Sequence, residues 1–148
     1  MSRHNLKYWN CEEYLGFGPG AYSYFNSTRF SFARSMEAYI RGVEDPQSRI
    51  NMSEGVEEIK GKAQLGEYIM LGLRLNDGIS MSEIARRYGV DFGALYGKKA
   101  EKYINYGYMA KRGDRLFLTP LGMFISNYIL SDLHSFEDLG ALSPANNF

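Results

Sequence analysis

The stretch SMSEIARRYGV (80–90), DFGALYGKKAEKYINYG (91–107), YMAKRGDRLFLTP (108–120) decides the fold. Ser80 is placed to cap a short helix, Met81 to Tyr88, which Gly89 stops. A second helix is predicted from about Asp91 to Tyr106, with Leu95, Ala100, Tyr103 and Ile104 inward and Gly107 at its end. Tyr108-Met109-Ala110 and Leu116-Phe117-Leu118 read as two short strands around the turn residues Lys111-Arg112-Gly113-Asp114-Arg115. Thr119 caps and Pro120 opens a last helix, in which Leu121, Phe124, Ile125, Tyr128 and Ile129 form a stripe.

Working outward, Ser53-Glu54-Gly55-Val56-Glu57 looks like a helix start with acids at the positive end of the dipole. Ile59, Ala63, Met70 and Leu73, widened by Leu65 and Ile69, then predict a helix of about 20 residues ending near Asn76-Asp77-Gly78. Helix, helix, helix, hairpin, helix is the order of a winged helix-turn-helix. Before it, residues 1–34 are rich in glycine and aromatics and show no helical stripe. Tyr14-Leu15-Gly16-Phe17 could form a short strand, and Ser35 to Gly42 a short helix. Glu44 to Ser48 is then a loop around Pro46. The expected fold class is mainly α with small β. A glycine- and aromatic-rich segment (1–52) precedes a winged-helix-like domain (53–135), with a disordered tail (136–148).

The bulk numbers exclude several classes. Seventeen basic and 17 acidic side chains leave a formal net charge of zero, so no global field draws the chain to nucleic acid or anionic membrane. No apolar run approaches the roughly 18–20 residues that span a bilayer. The one cysteine, Cys11, cannot form an internal disulfide, which favours a reducing cytoplasm. A dense aromatic segment directly after Met1 leads us to expect further chain upstream.

Chemistry is sparse. Two histidines, His4 and His134, and one cysteine assemble neither a catalytic triad nor a metal-cluster spacing, so no catalytic residue is assigned. Lys98, Lys99 and Lys102 on one helix, with Lys111, Arg112 and Arg115 on the hairpin, invite a DNA-binding reading. That helix, however, carries Tyr, Gly and Ala where base-reading side chains are expected, so no nucleic-acid partner is assigned. Two features remain. His4, near Tyr8 and Trp9, has the residue types that meet haem, an imidazole for iron and flat rings for the porphyrin. Gly18-Pro19-Gly20-Ala21 lets the backbone approach a ligand without Cβ interference.

Arg3-His4-Asn5-Leu6-Lys7-Tyr8-Trp9 and Tyr14-Leu15-Gly16-Phe17-Gly18-Pro19-Gly20-Ala21-Tyr22-Ser23-Tyr24 together resemble the C-terminal part of the HemW-like, oxygen-independent coproporphyrinogen III oxidase-like radical-SAM family. Glu67-Tyr68-Ile69-Met70-Leu71-Gly72-Leu73-Arg74-Leu75 and Leu118-Thr119-Pro120-Leu121-Gly122 resemble further markers of that family. His-Asn-x-x-Tyr-Trp is associated with its haem-binding branch.

The resemblance implies a longer protein with a partial α/β barrel. There a Cys-x-x-x-Cys-x-x-Cys motif holds a [4Fe–4S] cluster and S-adenosylmethionine, and nothing in this sequence matches that motif. Residues 1–52 would be the barrel's last edge. Gly18, Gly20, Ala21 and Tyr22 would lie by S-adenosylmethionine, although the HemW-like pattern has His where this chain has Tyr22. His4 would be the metal ligand, with Tyr8 and Trp9 shaping a haem site. The implied partners are haem or porphyrin, a haem-acceptor protein and the chain's own N-terminal barrel. The alternatives are a part of a coproporphyrinogen III oxidase of porphyrin biosynthesis, or a winged-helix regulator. Alone, this segment is expected to hold no cofactor and to be inactive.

Overall fold

The structure, a computed structural model, describes residues 3–45, 47 and 52–134, without the side chains of Arg3 and His4. The tail expected to be disordered, 136–148, lies outside the described residues. Seven α-helices and two three-stranded antiparallel sheets are present among the described residues. The chain divides into two compact units, Met1–Lys60 and Gly61–Phe148.

The N-terminal unit is more regular than its sequence suggests. Arg3–Trp9 is a helix, α1; Tyr22–Phe25 (β1) and Thr28–Phe32 (β2) form a hairpin; and Met36–Glu44 is α2. The hairpin turn is Asn26-Ser27, both at positive φ (49° and 58°), as a two-residue type I′ connection requires. Asparagine tolerates that backbone, whereas serine rarely signals it, and so the hairpin escapes a sequence reading. Tyr14, expected in a strand, makes an isolated bridge with Tyr24. The helix expected near Ser35 is α2, with the Ser35 hydroxyl accepting the Ala38 N–H.

The helix expected from Ser53 is a strand at its start. Ser53–Glu58 is β3, paired antiparallel with β2. Gly55, at φ 58°, sits where the register shifts by one residue, a bulge that a helix could not accommodate. Arg29 faces Glu57 across the pair at 3.9 Å. The acids that resembled a helix N-terminus are instead the exposed side chains of an edge strand. The helix begins only at Lys62, so the observed division falls at Lys60/Gly61 rather than after residue 52.

In the C-terminal unit, Lys62–Gly72 (α3), Met81–Tyr88 (α4) and Phe92–Asn105 (α5) precede Met109–Arg112 (β5) and Arg115–Leu118 (β6). A short strand not anticipated, Ile79–Ser80 (β4), joins them in the order β4–β6–β5. Ser80 caps α4 and Asp91 caps α5 through their side-chain oxygens. Asp114, in the β5–β6 turn, accepts from the Ser80 and Ser82 hydroxyls (2.5 and 2.8 Å) and the Ser82 N–H (3.0 Å). Those bonds hold its carboxyl below the usual carboxylate range and pin the hairpin turn to the start of α4. The expected last helix is two, Pro120–Phe124 (α6) and Ser126–Leu133 (α7). The break at Ile125 changes which side chains turn inward: Ile129, Leu130 and Leu133 are buried, while Leu121, Phe124 and Tyr128 are exposed. In α5 the buried side chains are Phe92, Tyr96, Ala100 and Tyr103, with Leu95 and Ile104 only half-buried.

Leu73, Ile79, Ile84, Leu116, Ile129, Met109 and Tyr103 form the centre of this unit, each at most 2% exposed. Tyr103 donates its hydroxyl to Asp132 at 2.6 Å, bolting α5 to α7. Burial, followed by the Asp132 hydrogen bond and charge, pushes that phenol well above the usual tyrosine range. Tyr103→Phe keeps the ring and removes the bond. It is expected to cost about 1–3 kcal/mol in urea unfolding; an unchanged midpoint would show that the bond adds nothing.

Candidate functional site

His4, Tyr8 and Trp9 all lie on α1. On a helix, Tyr8 stands one turn from His4 on the same face, whereas Trp9 is rotated from His4 by about 140°. The three do not share a face. The Tyr8 ring, 39% exposed, leans on Tyr14 with centroids 4.2 Å apart, and Trp9 is half-buried. The helix ends in a tight turn, in which the Cys11 N–H reaches the Tyr8 carbonyl at 3.2 Å and the Glu12 N–H the Lys7 carbonyl at 2.9 Å. Cys11 is buried, consistent with a packing role.

The glycine run is a built turn. The Ala21 N–H closes on the Gly18 carbonyl at 3.2 Å, with Pro19 and Gly20 (φ 70°) at the centre, as in a type II turn. Its amides are spent inward. Gly16 N–H donates to Ser23 Oγ at 3.1 Å and Gly18 N–H to the Tyr39 hydroxyl at 3.0 Å. Gly20 N–H is shared by the carbonyls of Phe32 and Ala33. Pro19 has no N–H. With its amides so engaged, the turn offers no nest of N–H donors, while the Tyr22 ring beside it is exposed. That surface does not suit an anion.

Two residues that position this turn were not singled out from the sequence. Ser23 is fully buried, and Tyr39 reaches in from α2 while its ring meets Phe32 at 5.5 Å. No alternation signals Ser23, since Ser23 and Tyr24 are both buried between exposed Tyr22 and Phe25; once buried, its hydroxyl needs a partner.

The donor chemistry separates the implied groups. Among the described residues no three His, Cys, Asp or Glu side chains converge on a metal-sized site. The sequence holds one cysteine, which does not fit an iron–sulfur cluster's thiolate set. A single histidine on α1, with the Tyr8 phenol one turn away, is a donor of the type that would hold haem iron.

The other markers have structural reasons. Arg74 donates to the Met70 carbonyl and to Asn127 Oδ1, both at 3.0 Å, tying the end of α3 to α7. Thr119 accepts the Gly122 N–H and donates to the Gly107 carbonyl at 2.7 Å, and Pro120 opens α6. Among the bases, Lys99 and Lys102 turn to Asp132, and Arg112 pairs with Asp77 at 3.6 Å. These are engaged within the fold.

Residues 59–125 match the HemN C-terminal domain family. Over that stretch the chain resembles a HemN C-terminal domain, and over most of its length it is similar to heme chaperones named HemW. It is 28% identical over 138 residues to the heme chaperone HemW of Lactococcus lactis, covering 90% of this chain and 35% of that protein. It is 28% identical over 128 residues to that of Bacillus subtilis, covering 86% and 33%. The likeness thus extends from the HemN C-terminal domain into the N-terminal unit. The chain spans about a third of the length of these relatives. The fold resembles the Escherichia coli coproporphyrinogen III oxidase HemN, a radical SAM enzyme, with a TM-score of 0.57 and 16% identity over 84% of this chain and 29% of that one.

Proposed function

We propose that this chain is the C-terminal part of a haem chaperone. The observation that carries the reading is its likeness to named heme chaperones over 86–90% of its length, α/β arm included. In the longer protein His4 would hold haem iron, with Tyr8 on the same helix face and Trp9 on another. Gly18, Gly20, Ala21 and Tyr22 would lie by S-adenosylmethionine, with the exposed Tyr22 ring as the side chain available to it. The cluster belongs to the N-terminal barrel, since this chain lacks the thiolates. The C-terminal unit is a winged-helix-like cap: its β4–β6–β5 sheet beside α3, α4 and α5 supports that reading. The protein works in the cytoplasm and passes haem to an acceptor protein.

The test is a chimera in which this chain replaces the matching C-terminal part of the L. lactis protein. Haem titrated into it is expected to give a shifted Soret band. His4→Ala should weaken that binding by about tenfold or more, the loss of at least 1.4 kcal/mol. An unchanged spectrum in the variant would reject His4 as ligand, and no Soret shift in the chimera would reject the chaperone reading.

A further inference from the structure

Three glycine amides hold the glycine run in place, and they are not held alike. Gly16 N–H goes to Ser23 Oγ in β1, and Gly20 N–H to the Phe32 and Ala33 carbonyls at the end of β2. Both bonds stay with the β1–β2 hairpin. Gly18, between them, is held by a different element: its N–H donates at 3.0 Å to the hydroxyl of Tyr39, 21 residues on, in α2. That hydroxyl is well fixed. The Tyr39 ring meets Phe32 edge-on at 5.5 Å, its amide donates to the Ser35 carbonyl at 3.0 Å, and the Ser35 side chain caps α2. Gly18 itself supplies little restraint. It lies at φ 103°, and nothing stands within 4 Å of where a Cβ would be. A glycine in such a conformation lets the peptide before it turn over with little steric resistance. The phenol therefore decides which way the Phe17–Gly18 amide faces.

We infer that Tyr39 is a positioning residue for S-adenosylmethionine, setting the path of the Gly18–Ala21 turn through one hydrogen bond. This rests on the placement of that turn proposed above. The turn's surface fits part of that ligand. It is open beside Gly18 and is followed by the exposed Tyr22 ring, which suits a flat adenine or a sulfonium cation. Tyr39 acts through the Gly18 amide, whose N–H it keeps turned to α2. Removing the hydroxyl frees that amide while Gly16 and Gly20 stay anchored to the hairpin, so the change is confined to the stretch that meets the ligand.

The chimera tests it with two variants. Tyr39→Phe keeps the ring and loses the hydroxyl, whereas Ser35→Ala removes the cap of α2 and leaves that hydroxyl in place. S-adenosylmethionine affinity is measured by equilibrium dialysis and haem affinity by Soret titration, with the fold followed by circular dichroism. Y39F is expected to weaken S-adenosylmethionine binding roughly fivefold, the loss of one neutral hydrogen bond, and to leave haem affinity within about twofold. S35A should leave both affinities within about twofold. Unchanged S-adenosylmethionine affinity in Y39F would overturn the positioning role and leave the chaperone reading standing. So would an equal loss in S35A, a matching loss of haem affinity in Y39F, or a Y39F chimera that does not fold, since each makes Tyr39 a general support of the unit. A parent chimera that binds haem but no S-adenosylmethionine would reject the placement of the turn, and the inference with it. One that binds neither takes the chaperone reading down as well.

Discussion

Gly78→Ala is expected to destabilise the C-terminal unit by about 2–5 kcal/mol, read as a fall in the urea midpoint followed by circular dichroism. Two costs add. Gly78 sits at φ 63°, where a Cβ costs roughly 1–2 kcal/mol. That Cβ would also run into the backbone carbonyl of Leu116 and come within 2.6 Å of the Phe117 Cβ, and overpacking of that kind costs about 1–3 kcal/mol. Neither neighbour can yield easily, because Leu116 pairs with both Ile79 and Lys111 in the middle of the β4–β6–β5 sheet. Gly113→Ala separates the two costs. Gly113 has nearly the same φ, 60°, with nothing within 4 Å of its Cβ position, so it should lose only the backbone part. Equal losses in the two variants would show that the contact with strand β6 contributes nothing.

That pair also shows what a sequence can and cannot say. Asn76-Asp77-Gly78 reads correctly as a turn, because glycine there is a local signal, but the helix expected to run about 20 residues to it spans only Lys62–Gly72. The close approach of β6 is not local: it depends on a residue 38 positions away and on the β4 pairing that two residues, Ile79 and Ser80, were too few to announce. The caps of Ser80 and Thr119 were legible for the same local reason, each side chain answering an amide three residues on. The strand at Ser53–Glu58 was not. Its acids suited a helix start, and only pairing with β2, more than 20 residues earlier, decides otherwise. At the candidate site, the turn and the aromatic neighbourhood of His4 could be read. The periodicity of α1 that parts Trp9 from His4 could not, since seven residues carry too little stripe to signal a helix.

The glycine turn supplies the second large effect. Gly16→Ala is expected to cost about 2–4 kcal/mol in the N-terminal unit, followed by the fluorescence of Trp9, the chain's one tryptophan. Here the backbone angle is ordinary, and the cost is contact alone. A Cβ at position 16 would collide with the Tyr22 carbonyl and stand 3.0 Å from the Ala21 Cβ. To relieve that, residues 14–17 must draw away from β1, and the movement breaks the bond from the Gly16 amide to Ser23 Oγ. Ser23 is fully buried, so its hydroxyl would be left without that donor at a further cost of about 1 kcal/mol. Ser23→Ala removes the acceptor while leaving the chain path intact, and should lose about 1–3 kcal/mol as the Gly16 amide goes unmet. Gly16 leads directly into the Gly18–Ala21 turn, so both variants also disturb Gly18 and Gly20. A Gly16→Ala chain with an unshifted Trp9 transition would mean that residues 14–17 do not lie against β1.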